Sequence, residues 1–345
     1  MQRKLMAATL LAALTAAATP AHAYKVNDTL EVNAKLFANV LSVEKNSDKG
    51  GFHLDRSYLE VRRNLEGGDL IRVTLDQKAE ADSTLSVLTP PAATPGTGTA
   101  TKSADGRVFV KYAYWQHQFA PVATLKAGLN HTPMVDFDES KFWGFRFVAK
   151  SFTDEWGLQT SSDLGLSLLG KVADGKLEYH LSGLNGEGYQ HPVNGNGYAF
   201  AARVGANLGG LHTGVLSHRE GNRNGVSGYD PERDLVYAFF SNDAFRIGGQ
   251  YLVNADDGTS ATKFHKASGY NVQGAVSLPF GNKTEAFARY DTIDPMDTGV
   301  DKTLTLAGIS FQAGEGVTVA PTMRIDDDGV NPSITTWGVF TQMSF

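Results

Sequence analysis

His180, His212 and His218, with Ser182 and Ser217 close by, are the residues of this chain that could supply a nucleophile and its base. Their spacing argues against it. Ser217 and His218 are neighbours in an alternating run, so in a strand they point to opposite faces. No Gly-x-Ser-x-Gly elbow is present, nor is a His-Glu-x-x-His or P-loop motif. The chain has no cysteine, which removes thiol chemistry. Asp256-Asp257-Gly258 and Asp326-Asp327-Asp328-Gly329 could touch Ca²⁺ weakly, but they lack the spaced ligands of a dedicated loop. Acidic turn chemistry explains them more simply. The expectation is no catalytic residue, no metal and no cofactor.

The remaining charges have a different use. Arg56, Arg62, Arg72, Lys78, Lys111, Lys126, Lys176, Arg203, Arg246, Arg289 and Arg324 sit in alternating runs, opposite apolar neighbours. Glu31, Glu60, Asp76, Asp163, Glu178, Glu285, Asp291 and Asp326 fall on the same side. Such a side suits a water-filled interior. On a lipid face at mid-bilayer each Lys or Arg would cost about 2–4 kcal/mol. The interior balance leans positive although the whole chain carries −6. That net charge disfavours non-specific nucleic-acid binding. A basic wall concentrates anions, so a modest anion preference is expected. A mixed wall with little selectivity is the alternative.

The elements that must position these charges are strands. Leu30, Val32, Ala34 and Leu36 alternate with Glu31, Asn33 and Lys35, and Ile71, Val73 and Leu75 alternate with Arg72, Thr74 and Asp76. The pattern recurs to the C-terminus and predicts about 16 strands. Short turns at 66–69, 120–121, 173–175, 209–210, 242–244, 279–282 and 313–316 alternate with longer polar connections, among them 81–106, 131–162, 186–197 and 219–233. Glycine, 37 of 345 residues, supplies many of the turns. Mean hydropathy is −0.23, yet barrel strands leave only a weak hydropathy signal. The predicted fold is an all-β transmembrane antiparallel barrel with an inward-folded loop. A soluble all-β sandwich is the competing reading.

Both ends of the chain agree with export to a membrane. Arg3 and Lys4, the apolar stretch Leu5–Ala18 and Ala21-His22-Ala23 form a secretory leader, so residues 1–23 are expected to be removed and 24–345 to form the barrel. At the other end Trp337, Val339, Thr341, Met343 and Phe345 alternate with Gly338, Gln342 and Ser344. A strand that runs to the last residue would be a sticky edge unless it closes a barrel.

Residues 131–162 break the rhythm. Five Phe and two Trp sit among Asp136, Asp138, Glu139, Lys141, Arg146 and Lys150. A loop in water would not carry so many aromatics, so this one must pack into something. It follows the fifth predicted strand.

The C-terminal strand resembles the terminal signature of bacterial outer-membrane barrels. Arg56-Ser-Tyr-Leu-Glu-Val-Arg-Arg63, Arg72-Val-Thr-Leu-Asp76 and Leu125-Lys-Ala-Gly-Leu-Asn-His-Thr-Pro133 resemble segments of the general and phosphate-selective (porin O/P-like) porins of Gram-negative bacteria. The resemblance implies that the loop after strand five narrows a pore. Pore-lining and constriction candidates are then Arg56, Arg62, Arg72, Lys111, Lys126, Asp136, Asp138, Glu139, Lys141, Arg146, Arg203, Arg246, Arg289 and Arg324. It also implies an outer-membrane location, contact with lipid and lipopolysaccharide, a homotrimer, small hydrophilic solutes or anions as cargo, and Trp337 and Phe345 as a signal read by barrel-assembly machinery. Phosphate specificity is not implied, because a dense arginine ladder is not recognisable. An outer-membrane barrel that is not an open pore (an enzyme, adhesin or structural component) is the alternative.

Overall fold

Alternating runs become strands, and the strands close on themselves. The computed structural model describes residues 24–44, 50–78, 107–120, 122–190, 197–222, 230–257, 266–295 and 300–345. The expected leader, the 81–106 loop and Pro121 lie outside the described residues. Sixteen long strands follow in chain order: β1 Leu30–Val43, β2 Gly51–Asn64, β3 Leu70–Lys78, β4 Arg107–Ala120, β5 Ala123–His131, β6 Ser162–Val172, β7 Leu177–Leu184 and β8 Tyr198–Leu208. The second half is β9 Leu211–Gly221, β10 Asp230–Ser241, β11 Phe245–Asp257, β12 Lys266–Ser277, β13 Glu285–Pro295, β14 Lys302–Gly314, β15 Val317–Asp327 and β16 Ile334–Ser344. Each pairs antiparallel with the next. β16 pairs with β1, with Ser344 opposite Lys35 and Thr336 opposite Val43. The sheet therefore has no free edge between long strands. A two-residue strand, Tyr24–Lys25, folds back along β1. No described helix is long and apolar enough to cross a membrane.

The short turns need residues that tolerate left-handed backbone. Gly209 and Gly210, at φ 64° and 98°, join Leu208 directly to its partner Leu211. That is the two-residue hairpin geometry in which both central residues take positive φ.

Outward positions carry a contiguous apolar belt. Val61, Val73, Val110, Leu166, Leu168, Leu181, Val204, Val215, Val236, Ile247, Val272 and Ile309 are all exposed. Exposed apolar surface on that scale marks contact with something other than water. Leu166, near the middle of β6, is 57% exposed. Leu166→Arg is expected to destabilise the folded barrel in lipid vesicles by about 2–4 kcal/mol. Equilibrium urea unfolding measures it; a neutral result would mean that this face does not meet hydrocarbon.

The inward face differs from the sequence expectation in two ways. First, it is not uniformly polar. Leu216, Leu235, Phe239, Leu252, Ile293, Leu304, Leu306 and Phe340, on β9 to β16, face inward and are buried. Phe340 sits on the opposite face to Trp337, which is exposed. These side chains are dry because the 132–161 loop lies on them. Second, register shifts interrupt the alternation at four pairings, and two of them act on the interior of β2 and β4. Phe37 pairs with Arg56 but Ala38 pairs with Leu54, which leaves Asp55 unpaired in β2. Thr74 pairs with Tyr112 but Leu75 pairs with Val110, which leaves Lys111 unpaired in β4. A bulge shifts the side-chain phase by one residue. Val108 and Val110 are exposed outward, yet Lys111, Tyr112 and Tyr114 are all buried inside. The hydroxyl of Ser162 donates to the Lys111 carbonyl at 2.6 Å, so the bulged backbone keeps a hydrogen bond.

Candidate pore constriction

The loop that departs from the strand rhythm is anchored at its neck by β5 and β6, where His131 pairs with Ser162. The loop proper is therefore 132–161, slightly shorter than expected. Thr132 and Ser161 continue the pairing through a backbone bond of 3.2 Å. Beyond the neck the chain forms a short helix, α1 Val135–Asp138, then a π-helical turn over Glu139–Trp143. Gly144, at φ 72°, ends that turn in the left-handed region, where glycine is favoured. A second short helix, α2, covers Phe152–Glu155.

The aromatics explain why the loop folds inward. Phe142 stacks on Phe239 at 3.9 Å between centroids, and Phe145 stacks on Phe287 at 4.2 Å. Trp143 is 1% exposed; its Nε1–H donates to the Ala149 carbonyl at 2.8 Å. Phe152 and Met134 join Leu216, Leu235, Leu252 and Ile293 in one cluster. The loop thus carries its own apolar core onto the barrel wall. Each large side chain so buried contributes about 1.5–3 kcal/mol of transfer free energy.

Four wall arginines then pin it. Arg203 of β8 donates through Nε to the Pro133 carbonyl at 2.8 Å and pairs with Glu178 at 2.5 Å. Its guanidinium also lies 3.6 Å from the Phe137 ring centre. Arg246 of β11 donates to the Phe142 carbonyl at 2.8 Å and pairs with Glu285. Arg289 of β13 donates to the Lys150 carbonyl and pairs with Asp291. Arg324 of β15 bridges Glu155 at 2.8 Å and Asp326 at 2.7 Å. From the loop side, Asp138 accepts from Gln250 and Gln273, both at 2.7 Å.

Several residues expected to face the pore are therefore placed elsewhere. Asp138, Arg203 and Arg289 are buried between loop and wall. Burial raises the pKa of the Asp138 carboxyl, against its amide hydrogen bonds. Arg246 and Arg324 are half-buried and committed to the loop and to carboxylates. Arg146 is held within the loop by Glu139 at 2.8 Å. Lys141 and Asp136 are the expected loop charges that stay open to water; the Asp136 side chain is 50% exposed.

The other arc of the wall, β2 to β5, keeps its cations together. Arg62 and Arg72 stand opposite each other in register and both pair with Glu60, at 2.6 and 2.5 Å. Arg56 pairs with Asp76 at 2.5 Å. Lys111 lies 4.9 Å from the Tyr58 ring centre, and Lys126 lies 5.1 Å from that of Tyr114. Neither lysine has a carboxylate within ion-pair distance among the described residues. Tyr58, Tyr112, Tyr114, His131 and Tyr189 belong to this arc, and sequence reasoning did not select them. Tyr189, from the connection after β7, donates to Asp76 at 2.8 Å and accepts from Arg56 at 3.2 Å. An inward-facing tyrosine flanking a lysine was the available signal; the β4 bulge hid it by breaking the phase. At the barrel end near the 66–69 turn, Asp69 accepts from His117 and from Trp115, which hold its carboxyl below the ordinary range.

His218 faces inward and lies 2.9 Å from Glu220, and Ser182 bonds Ser167 at 2.8 Å. No metal-binding group of His, Cys, Asp or Glu occurs among the described residues.

No family model and no curated protein matches the chain in sequence. Solved structures do match its shape. An anion-selective porin from Comamonas acidovorans superposes with a TM-score of 0.63 at 13% identity, covering 92% of this chain and 99% of that one. OmpF of Salmonella typhi, solved in complex with daunomycin, has a TM-score of 0.62 at 13% identity, covering 92% and 97%. OmpT of Vibrio cholerae, expressed in the outer membrane, has a TM-score of 0.59 at 12% identity, covering 94% and 100%. At these identities the likeness is one of fold: a closed 16-strand antiparallel barrel of the kind found in outer-membrane porins.

Proposed function

We propose that this chain is an outer-membrane channel through which small hydrophilic solutes and ions diffuse passively, without catalytic turnover and with a modest preference for anions. One observation carries the reading. The 132–161 loop packs on β8 to β16 and reaches Phe37 of β1, while β2 to β5 gather Arg56, Arg62, Arg72, Lys111 and Lys126 on the inward face. Positive charge in a narrow, low-dielectric passage raises the local anion concentration. The likeness to a porin described as anion-selective supports the sign. An exported precursor with residues 1–23 removed, a homotrimer bedded in lipid and lipopolysaccharide, and an assembly signal at Trp337 and Phe345 belong to the same reading.

Planar-bilayer recording tests it. Purified barrel is expected to give steady ohmic steps, and a KCl gradient is expected to give a reversal potential on the anion side. An intact barrel without conductance would end the channel reading. A cation-side potential would end the anion preference alone.

A further inference from the structure

Residues 185–190 leave β7 at the end of the barrel that carries the long connections, and they turn inward there. The Asn185 N–H donates to the Leu164 carbonyl at 3.0 Å, and the Gly186 N–H donates to the Asp163 carboxylate at 2.7 Å. The Gly188 N–H donates to that same carboxylate. The Tyr189 N–H donates to the Ser162 carbonyl at 3.2 Å, so the segment lies over the neck of the 132–161 loop. Its far end is the Tyr189 hydroxyl. That hydroxyl donates to Asp76 at 2.8 Å and accepts from Arg56 at 3.2 Å and from Gln190 at 2.9 Å. One donor and two acceptor positions are all the hydroxyl has, and all are used. The ring meets Phe109 edge-on, with centroids 6.2 Å apart.

Distance dictates the inward course. β7 and β3 are four strand spacings apart, roughly 19 Å along the wall at about 4.8 Å each. The five residues from 185 to 189 reach at most about 18 Å when fully extended. They are not extended, because Gly186 and Gly188 sit at φ 92° and 74°. The segment therefore cuts across the interior, and the Tyr189 side chain covers the remaining gap. Gly188 is needed for closeness as well as for its φ: a Cβ there would lie 2.6 Å from Cγ2 of Thr160. Both anchors are buried. Asp163 at one end, and Arg56 and Asp76 at the other, face the interior yet are closed to water.

We propose that residues 185–190 form a second constriction element, a strap across the mouth of the barrel, and that Tyr189 sets the size limit for entry there. The inference rests on the channel reading and adds a narrowing that the 132–161 loop does not supply. Tyr189 acts by bulk. Its ring occupies interior space beside Arg56, Asp76 and Phe109, and its hydroxyl keeps the ring from swinging away.

Single-channel recording with neutral poly(ethylene glycols) of graded size tests the proposal, since a polymer that enters lowers the current and an excluded one does not. Tyr189→Ala is expected to raise the current step and to admit larger polymers. Tyr189→Phe keeps the ring, so the polymer limit should hold. Its strap amides should exchange with deuterium at least about tenfold faster, the value of one hydrogen bond to a charged group. The chain has no cysteine, so Tyr189→Cys offers a single thiol. That variant should conduct like Tyr189→Ala, and modification with a bulky aromatic thiol reagent should bring the step back down. Tyr198→Ala, at the same end of the barrel but exposed on the outward face, is the control and should change neither quantity. Wider entry in Tyr189→Ala, reversed by modifying the cysteine variant, supports the strap as a constriction. A folded Tyr189→Ala barrel with the wild-type step and polymer limit would overturn it, reduce the strap to an anchor for the loop neck and leave the channel reading standing. A wild-type barrel that never conducts would end the channel reading and the size limit with it, while amide exchange would still show whether Tyr189 ties the segment down.

Discussion

Arg289→Leu is expected to destabilise the barrel by about 3–5 kcal/mol, the usual cost of leaving one member of a buried ion pair without its partner. Arg289 and Asp291 both have fully buried side chains. The guanidinium bonds Asp291 through Nε at 2.7 Å, donates to the Lys150 carbonyl through Nη1, and lies 5.0 Å from the Trp143 ring centre. Asp291 would retain Asn271 at 2.7 Å and Trp156 at 3.1 Å, but no countercharge at that distance. The same variant removes the central pin of the loop. Single-channel records should therefore become noisier, with flickering between conductance levels as the loop moves. Lys150→Ala is the comparison. Its side chain is partly exposed and pairs with Asp154 at 3.4 Å, a geometry worth only about 0.3–0.5 kcal/mol. Equilibrium unfolding in vesicles separates the two. A loss below about 1 kcal/mol for Arg289→Leu, inside the range of an exposed pair, would mean that water reaches Asp291 and that the loop is not locked there.

Deleting Phe345 is expected to remove most of the protein from the outer membrane while changing the stability of refolded barrel little. The distinction rests on magnitudes. Phe345 closes the seam with two backbone bonds to Ala34, of 3.0 and 2.6 Å. Each is worth about 0.5–1.5 kcal/mol net, so the seam loses about 1–3 kcal/mol. The pairs from Ser344–Lys35 to Thr336–Val43 remain. The Phe345 ring itself is 55% exposed and packs little. A severe defect in cells beside a mild one in vitro would mark the ring as something read during assembly. Equal, mild effects in both settings would reduce Phe345 to a seam residue. Phe345→Leu, which keeps the backbone bonds, isolates the ring.

The barrel was legible in sequence because a strand's side-chain period is two and needs no distant partner to reveal it. The runs around Ile71–Asp76 and Trp337–Phe345 show it plainly, and the Gly209-Gly210 turn marks a hairpin on its own. The loop was legible as an anomaly: Phe142, Trp143 and Phe145 are too apolar for water. What they pack against was not legible. Phe239, Phe287 and Phe340 are far away in the chain, and their inward phase is the one assigned to water.

The candidate site was legible only as a list of charges. Sequence alone determined that these charges occupy the interior, because lipid excludes them. It could not divide them, since Arg203, Arg289 and Lys126 look alike in an alternating run. The tertiary structure made that division. Arginines facing loop carbonyls became clamps, because their fixed fork of donors matches backbone oxygens and carboxylates together. Lys111 and Lys126, brought beside Tyr112 and His131 by a bulge and a loop neck, were buried against tyrosine rings without a carboxylate at ion-pair distance. Closure, the lipid-facing belt and the inward loop follow from local patterning. What each clamping arginine grips on the loop is set by packing between residues distant in the chain, as with Arg289 and the Lys150 carbonyl.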